Sequence, residues 1–288
     1  MKNFELFLEL TRLKKPIGFM LLFWPCLWGL TLAHQFSNNN YIYFKYCFLF
    51  FCGAVLMRSA GCIVNDILDR KIDVMVKRTK DRPIASGKIS VHLGLIYVFL
   101  LCSFAFLILI QFNQKTIILG LASMPFAFSY PLMKRFTYWP QLFLGLTFNY
   151  GLVMAWVSLT NELSIYPLIF YFGAIFWTLG YDTIYGFQDI KDDEIIGVKS
   201  TSIKFKKNPK LFLFPCYLIF YMSIFSIGVL MSFSFFYFIF STLIFFHLIV
   251  FQVRTLNISE PQMCLRIFKS NNFLGFIIFI NILIGGYY

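Results

Sequence analysis

The chain has 288 residues, 59% of them hydrophobic, 21% aromatic and 13% charged, with a formal net charge of +12. Soluble domains carry about 25% charged residues. A soluble fold is therefore excluded, and the apolar segments that recur along the whole length indicate a multi-span helical membrane protein. Nucleic-acid binding is excluded as the meaning of the positive charge, because the basic residues sit in short loops between apolar runs, where topology and anionic headgroups account for them.

In chain order, Lys2 to Lys15 reads as an amphipathic surface helix from which Phe4, Leu8 and Leu10 dip into the bilayer interface. This basic stretch precedes an apolar run, as in a signal peptide. No small-x-small cleavage pattern follows, and the Ser/Arg richness of a transit peptide is missing, so it is expected to be retained. Spans are predicted at 16–33, 41–64, 91–111, 116–130 (short, interrupted by Pro125), 140–159, 165–187, 211–231, 233–252 and 273–287. Polar segments at 65–90, 131–139, 188–210 and 253–272 separate them. The seven cysteines lie mostly in apolar runs without a C-x-x-C pair and read as core residues. His34, His92 and His247 are isolated and suggest no metal site.

Nine spans put the two termini on opposite sides of the membrane. The N-terminal segment and the loops after spans two, four, six and eight hold 22 of the 25 Lys/Arg, and the positive-inside rule makes that face cytoplasmic. Nine of the 13 Asp/Glu fall on the same face in two places, Asp66, Asp69, Asp73 and Asp81, and Asp182, Asp189, Asp192, Asp193 and Glu194. The two clusters occupy comparable positions in the two halves of the chain. They suggest one domain, 1–288, built of two degenerate halves.

The first cluster is carried by Asn65-Asp66-Ile67-Leu68-Asp69-Arg70-Lys71-Ile72-Asp73. At about 100° per residue, Asp66, Asp69 and Asp73 fall at roughly 0°, 300° and 340°, one face of a helix that leaves the membrane. In the second, Asp182, Tyr185, Asp189 and Asp193 are spaced to share one face if the helix continues. Clustered carboxylates repel one another and are costly at membrane depth. Mg2+ would relieve both penalties, and with Lys71, Lys77, Arg78, Lys80, Arg82 and Lys191 nearby the set suits a diphosphate with an apolar tail. A solvated acidic loop and a cation-coupled transporter are the competing readings. Against a transporter, the acids gather at one face and not at the midplane.

These two motifs resemble the signature motifs of the UbiA superfamily of intramembrane prenyltransferases. Arg12-Leu13-Lys14-Lys15-Pro16-Ile17-Gly18, Met57-Arg58-Ser59-Ala60-Gly61-Cys62, Lys77 to Pro83, Ser129 to Arg135 and Gly197 to Thr201 resemble the branch acting on 4-hydroxybenzoate. The resemblance implies an all-α bundle of nine membrane helices around a central cavity capped on the cytoplasmic side. It implies Mg-dependent transfer of a polyprenyl group from polyprenyl diphosphate to 4-hydroxybenzoate in ubiquinone biosynthesis. Relatives with menaquinone or haem-pathway acceptors are the nearer alternatives. On this reading Asp66, Asp69, Asp189 and Asp193 hold metal, with Asp73 and Asp182 in support, and Tyr185 orients the diphosphate or stabilises the cation. Asn65 meets phosphate or metal water, Lys71, Arg78, Arg82 and Lys191 meet the diphosphate, and Arg58 and Arg135 meet the acceptor carboxylate. The expected setting is a bacterial inner membrane, with no obligate protein partner.

Overall fold

The computed structural model describes residues 2–37 and 39–286, with the side chains of Lys2 and Asn3 excepted. The charge of Lys2 and the expected last residue of the ninth span, Tyr287, lie outside the described residues. Every regular element among the described residues is helical. In order they are α1 (Lys2–Leu10), α2 (Ile17–His34), α3 (Asn40–Asp73), α4 (Val91–Leu109), α5 (Gln114–Ser129), α6 (Met133–Phe136) and α7 (Pro140–Thr160). Then come α8 (Ile165–Gly186), α9 (Ile190–Ile196), α10 (Thr201–Lys204), α11 (Pro209–Leu230), α12 (Phe235–Phe245) and α13 (Pro261–Gly286). A single 3-10 turn, Tyr130–Leu132, joins α5 to α6, and α12 runs on as a π-helical segment, Phe246–Arg254.

Among the described residues eight helices, with α5–α6 and α12 plus its π segment each taken as one, are long and apolar enough to cross a membrane. Helix α8 is 22 residues long but carries Asp182, Trp177 and the tyrosines 166, 171, 181 and 185, which lower its hydropathy. Polar contacts sort the helix ends into two groups. At one end Arg12 pairs with Asp66, Arg82 with Asp73, Lys134 with Asp69 and Arg78 with Asp189. At the other, the Asn113 amide donates to Val157 O at 2.8 Å, Lys115 Nζ to Asn161 O at 2.9 Å, and Ser234 N to Gly285 O at 3.4 Å. The N-terminal segment and the end of α13 therefore lie at opposite ends of the bundle.

Helix α2 is apolar all round and is accordingly central, packed on α3, α7, α8 and α13. A Cβ on Gly29 would fall 2.2 Å from Leu152 O, so only glycine lets α2 and α7 approach this closely. Trp28, Phe170, Trp177 and Phe220 stack where α2, α8 and α11 meet. Beside them, Asn271 Oδ1 accepts from Trp177 Nε1 at 2.7 Å and Gln252 Nε2 at 3.0 Å, and Tyr217 donates to Gln252 Oε1 at 2.7 Å. This network satisfies polar atoms that no water reaches.

Several expectations need correction. Leu10 is fully buried against Ile63, Ile84 and Ile89 and does not dip into lipid. Pro125 sits inside α5 without breaking it, and part of the expected loop 131–139 is helical. Helix α13 starts at Pro261, not near 273; Cys264, Ile267, Asn271 and Leu274 face the core, so its polar first turns still pack. The second acidic motif is not one helix. Helix α8 ends at Gly186, where Ser202 Oγ donates to Thr183 O at 2.8 Å and docks α10 on the helix end. The chain turns through the buried Phe187 and restarts at Ile190 with Asp189 as N-cap.

Candidate active site

Helix α3 has 34 residues and spans about 50 Å at 1.5 Å per residue. A bilayer's hydrocarbon core needs only about 20 residues. The last turns, Asn65 to Asp73, therefore project beyond the apolar stretch. As the periodicity predicts, the three acids share a face, which turns inward: Asp66, Asp69 and Asp73 are 2%, 1% and 5% exposed.

Carboxylates this buried need cationic partners, and three segments deliver them. Arg12, between α1 and α2, donates Nη2 to Asp66 Oδ1 and Nη1 to Cys62 Sγ at 3.6 Å. Arg82, in the α3–α4 loop, spans Asp66 Oδ1 at 3.1 Å and Asp73 Oδ1 and Oδ2 at 3.0 and 2.8 Å. Lys134 in α6 donates to Asp69 Oδ2. Arg78 donates Nε to Asp189 Oδ1 and Oδ2 at 2.8 and 3.0 Å and Nη1 to Tyr185 Oη at 3.1 Å. Lys134, paired with Asp69 of the first motif, also lies within electrostatic reach of Asp193 in the second. Burial disfavours the Arg78 charge, but its bonds to Asp189 and its contact with Tyr185 outweigh this and hold its pKa above the ordinary value.

The expected metal set is not drawn together. Among the described residues no three His, Cys, Asp or Glu side chains converge closely enough to hold one ion, because Asp66, Asp69 and Asp189 are each turned to a lysine or arginine. The donor chemistry nevertheless suits Mg2+. All candidates are hard carboxylate oxygens, and Asp69 Oδ1 is buried without a hydrogen-bond partner. Among the described residues Asp182 and Asp193 carry no ion pair. The Asp193 carboxyl, in α9, is pushed up to about 6 by burial and by neighbouring Asp189.

Beyond the acids lies an apolar cavity of about 210 Å³ between α2, α3, α4, α5 and α7. It runs along α3 from Gly61 to Leu49 and reaches Phe112 and Met154. Its walls near the acidic end include Arg58, Tyr130 and Phe148. Arg58 has no hydrogen bond or ion pair among the described residues; its Nε is buried without a partner, and its guanidinium lies 5.5 Å from the centre of the Phe148 ring.

The remaining candidates separate. Asn65 is half-buried beside Asp66. Arg135, expected to meet the acceptor carboxylate, instead donates Nη2 to Leu68 O at 2.7 Å and lies 3.9 Å from Asp69 Oδ1, away from the cavity wall. Lys71 is exposed about 140° round α3 from Asp66, and Lys191 is exposed on α9; neither is brought into the cluster. Arg12 and Lys134 were missed as site residues. Lys134 was legible as the neighbour of Arg135, one helical step round, whereas Arg12 reaches Asp66 across a chain reversal that local spacing cannot report.

The sequence profile of the UbiA prenyltransferase family matches residues 22–282. The chain is 41% identical over 282 residues to the mitochondrial 4-hydroxybenzoate polyprenyltransferase of Arabidopsis thaliana, covering 96% of this chain and 68% of that protein. It is 39% identical over 282 residues to the 4-hydroxybenzoate octaprenyltransferase of Psychromonas ingrahamii, covering 98% of this chain and 96% of that one. A solved UbiA homolog from Archaeoglobus fulgidus bound to GPP and Mg2+ superposes with a TM-score of 0.69 at 18% identity, covering 97% and 98% of the two chains. At that identity the likeness is one of fold.

Proposed function

Since the chain belongs to the UbiA prenyltransferase family, we propose that it transfers a polyprenyl chain from polyprenyl diphosphate to 4-hydroxybenzoate, ortho to the hydroxyl, in ubiquinone biosynthesis. The observation that carries this reading is the junction of two features. A ring of carboxylates and cations sits at one end of an apolar cavity, and one unpaired arginine stands in the cavity wall between them. An anionic headgroup, an apolar tail and an aromatic carboxylate each have a matching surface.

Mg2+, when bound by Asp66, Asp69, Asp189 and Asp193, would stabilise the departing diphosphate as a Lewis acid. The chain's own residues supply the rest. Arg78 and Arg82, each already holding a carboxylate, are placed to take diphosphate oxygens in the same planar fork. Tyr185 Oη, fixed by Arg78, faces the region where allylic positive charge develops. The apolar walls exclude water from that charge, and the tail lies along α3 toward Phe112. Arg58 holds the acceptor carboxylate through its planar fork and so presents the ring carbon beside the hydroxyl to the allylic carbon. Asp182, on α8 without an ion pair, supports the same end of the cavity. Lys71, Lys191 and Arg135 are left out of this arrangement.

The protein is a multi-pass membrane protein. We place its N-terminal segment and all the acidic motifs on the cytoplasmic side, with α8 as the ninth crossing; the basic residues gathered at the acidic end support this. A bacterial inner membrane is the proposed setting; similar relatives come from bacteria and mitochondria alike. The test is an acceptor panel. Membranes containing the chain, given Mg2+ and a labelled prenyl diphosphate, should prenylate 4-hydroxybenzoate and not 1,4-dihydroxy-2-naphthoate or haem. Preference for either of the latter acceptors would overturn the assignment.

A further inference from the structure

Arg12 differs from the other cations paired with the acidic motifs in the way it arrives. It is not carried by a membrane helix or by the loops that follow one. It sits on a strap between α1 and α2 whose anchor, Leu10, is fully buried among Ile63, Ile84 and Ile89. The next residue, Thr11, is 2% exposed and closes back on Phe7 O through its hydroxyl at 2.7 Å. Arg12 itself has φ of 57°, in the left-handed region that a long side chain adopts only under constraint. The strap spends that strain on aiming one guanidinium at Asp66.

Asp66 does not need Arg12 in order to be paired. Its Oδ1 also accepts from Arg82 Nη1 at 3.1 Å. The Arg12 side chain is 25% exposed, against 2% for Asp66, so one partner is fixed and the other has room to leave. Tyr130 and Tyr185 lie within electrostatic reach of the same guanidinium, which places it between the cavity end and the second motif.

Both arginines hold Asp66 Oδ1, so a divalent ion that takes this carboxylate competes with two cations for the same negative charge. Once it binds, two positive charges stand next to a guanidinium whose counter-charge they have taken, and the repulsion favours a new anion for Arg12. A diphosphate supplies one, in the planar fork geometry that suits arginine.

We propose that Arg12 is a displaceable counter-ion. It holds Asp66 while no divalent ion is bound, leaves when the ion takes that carboxylate, and moves to the diphosphate, so that the α1–α2 strap couples metal loading to substrate binding. This rests on the reading of the two motifs as a metal–diphosphate site.

The coupling gives effects of opposite sign. In purified protein titrated with Mn2+ alone, followed by the resonance of the free ion, Arg12→Ala should bind Mn2+ about fivefold tighter than wild type, the scale of one partly exposed ion pair. At saturating Mg2+ the same variant should bind a thio-analogue of geranyl diphosphate about tenfold more weakly or worse. Arg12→Lys should fall between. Leu10→Ala, which slackens the anchor and leaves every charge in place, should shift both affinities in the same directions by less, and it serves if Arg12→Ala does not fold. A purely structural Arg12 would weaken both ligands together. Unchanged or weaker Mn2+ binding in Arg12→Ala, or unchanged affinities in Leu10→Ala, sinks the proposal alone. A wild-type protein that binds no Mn2+ sinks the reading of the site and the proposal with it.

Discussion

Replacing Arg58 separates acceptor recognition from every other role of the site. Among the described residues Arg58 makes no hydrogen bond and no ion pair; its guanidinium lies 5.5 Å from the centre of the Phe148 ring, and Asp182 is within its electrostatic reach. A cation–π contact of this kind is worth about 0.5–2 kcal/mol, and a guanidinium nitrogen buried without a partner costs a similar amount. Arg58→Ala should therefore leave the fold near its wild-type stability. The effect on the substrate is far larger. 4-Hydroxybenzoate brings a carboxylate into an apolar wall, and an unpaired buried charge costs about 3–5 kcal/mol. That corresponds to roughly a hundredfold or more in acceptor affinity. Steady-state kinetics with each substrate varied in turn should show KM for 4-hydroxybenzoate raised by that factor, KM for the prenyl diphosphate nearly unchanged, and only partial recovery in Arg58→Lys. Gly18→Ala offers a milder form of the same test, because its new Cβ would lie 2.8 Å from Arg58 Nε and push the guanidinium aside. If Arg58→Ala raised KM for the prenyl diphosphate alone, the arginine would belong to the leaving group and the carboxylate assignment would be wrong.

Arg78→Ala strips Asp189 of its bidentate partner and Tyr185 of its fixing bond, so kcat/KM for the prenyl diphosphate should drop at least a hundredfold while acceptor KM moves little; equal loss for both substrates would contradict this. The raised Asp193 carboxyl, near 6, keeps its proton below that pH and releases it above. Mg2+ affinity should therefore fall as pH drops from 7 to 5, and Asp193→Asn should flatten that profile; a wild-type profile already flat would exclude Asp193 as a donor. Asn271→Leu removes three interhelical bonds, one from Trp177 and two with Gln252, each worth about 0.6–2 kcal/mol in a membrane interior. Thermal unfolding in detergent should drop by several degrees, and an unchanged midpoint would show the network to be energetically idle. Cysteines introduced at Asn39 or Asn161 should be labelled from outside intact cells and those at Ser86 or Asn208 should not; labelling at Ser86 would reverse the topology.

The first acidic motif was legible because a helix running out of the membrane keeps its 3.6-residue period, and Asp66, Asp69 and Asp73 stay on one face whatever surrounds them. The second was only half legible. Asp182 and Tyr185 lie on α8 as the spacing required, but the helix ends at Gly186, where α10 docks through Ser202 on Thr183, and a contact across 19 residues leaves no local trace. Helix α13 was started too late because hydropathy measures membrane depth, not helicity. The spacing Cys264, Ile267, Asn271, Leu274, Ile278, with Pro261 at the first turn, marked a helix already packed on the core. The sharing of Asp66 between Arg12 and Arg82 was invisible for a different reason. Charge in a sequence shows which groups can pair, while the choice among partners depends on which segments the fold brings to one end.

The most direct test of the central claim is a turnover measurement on the purified protein in lipid vesicles, with labelled geranyl diphosphate, 4-hydroxybenzoate and Mg2+, repeated with excess chelator and with Asp66→Ala and Asp189→Ala. The account predicts a prenylated 4-hydroxybenzoate that keeps its carboxylate and hydroxyl and carries the chain on the ring carbon beside the hydroxyl. It predicts that this product disappears with chelator and nearly disappears in both variants, although each still inserts and folds. Full turnover in excess chelator, or undiminished product from Asp66→Ala and Asp189→Ala, would contradict it.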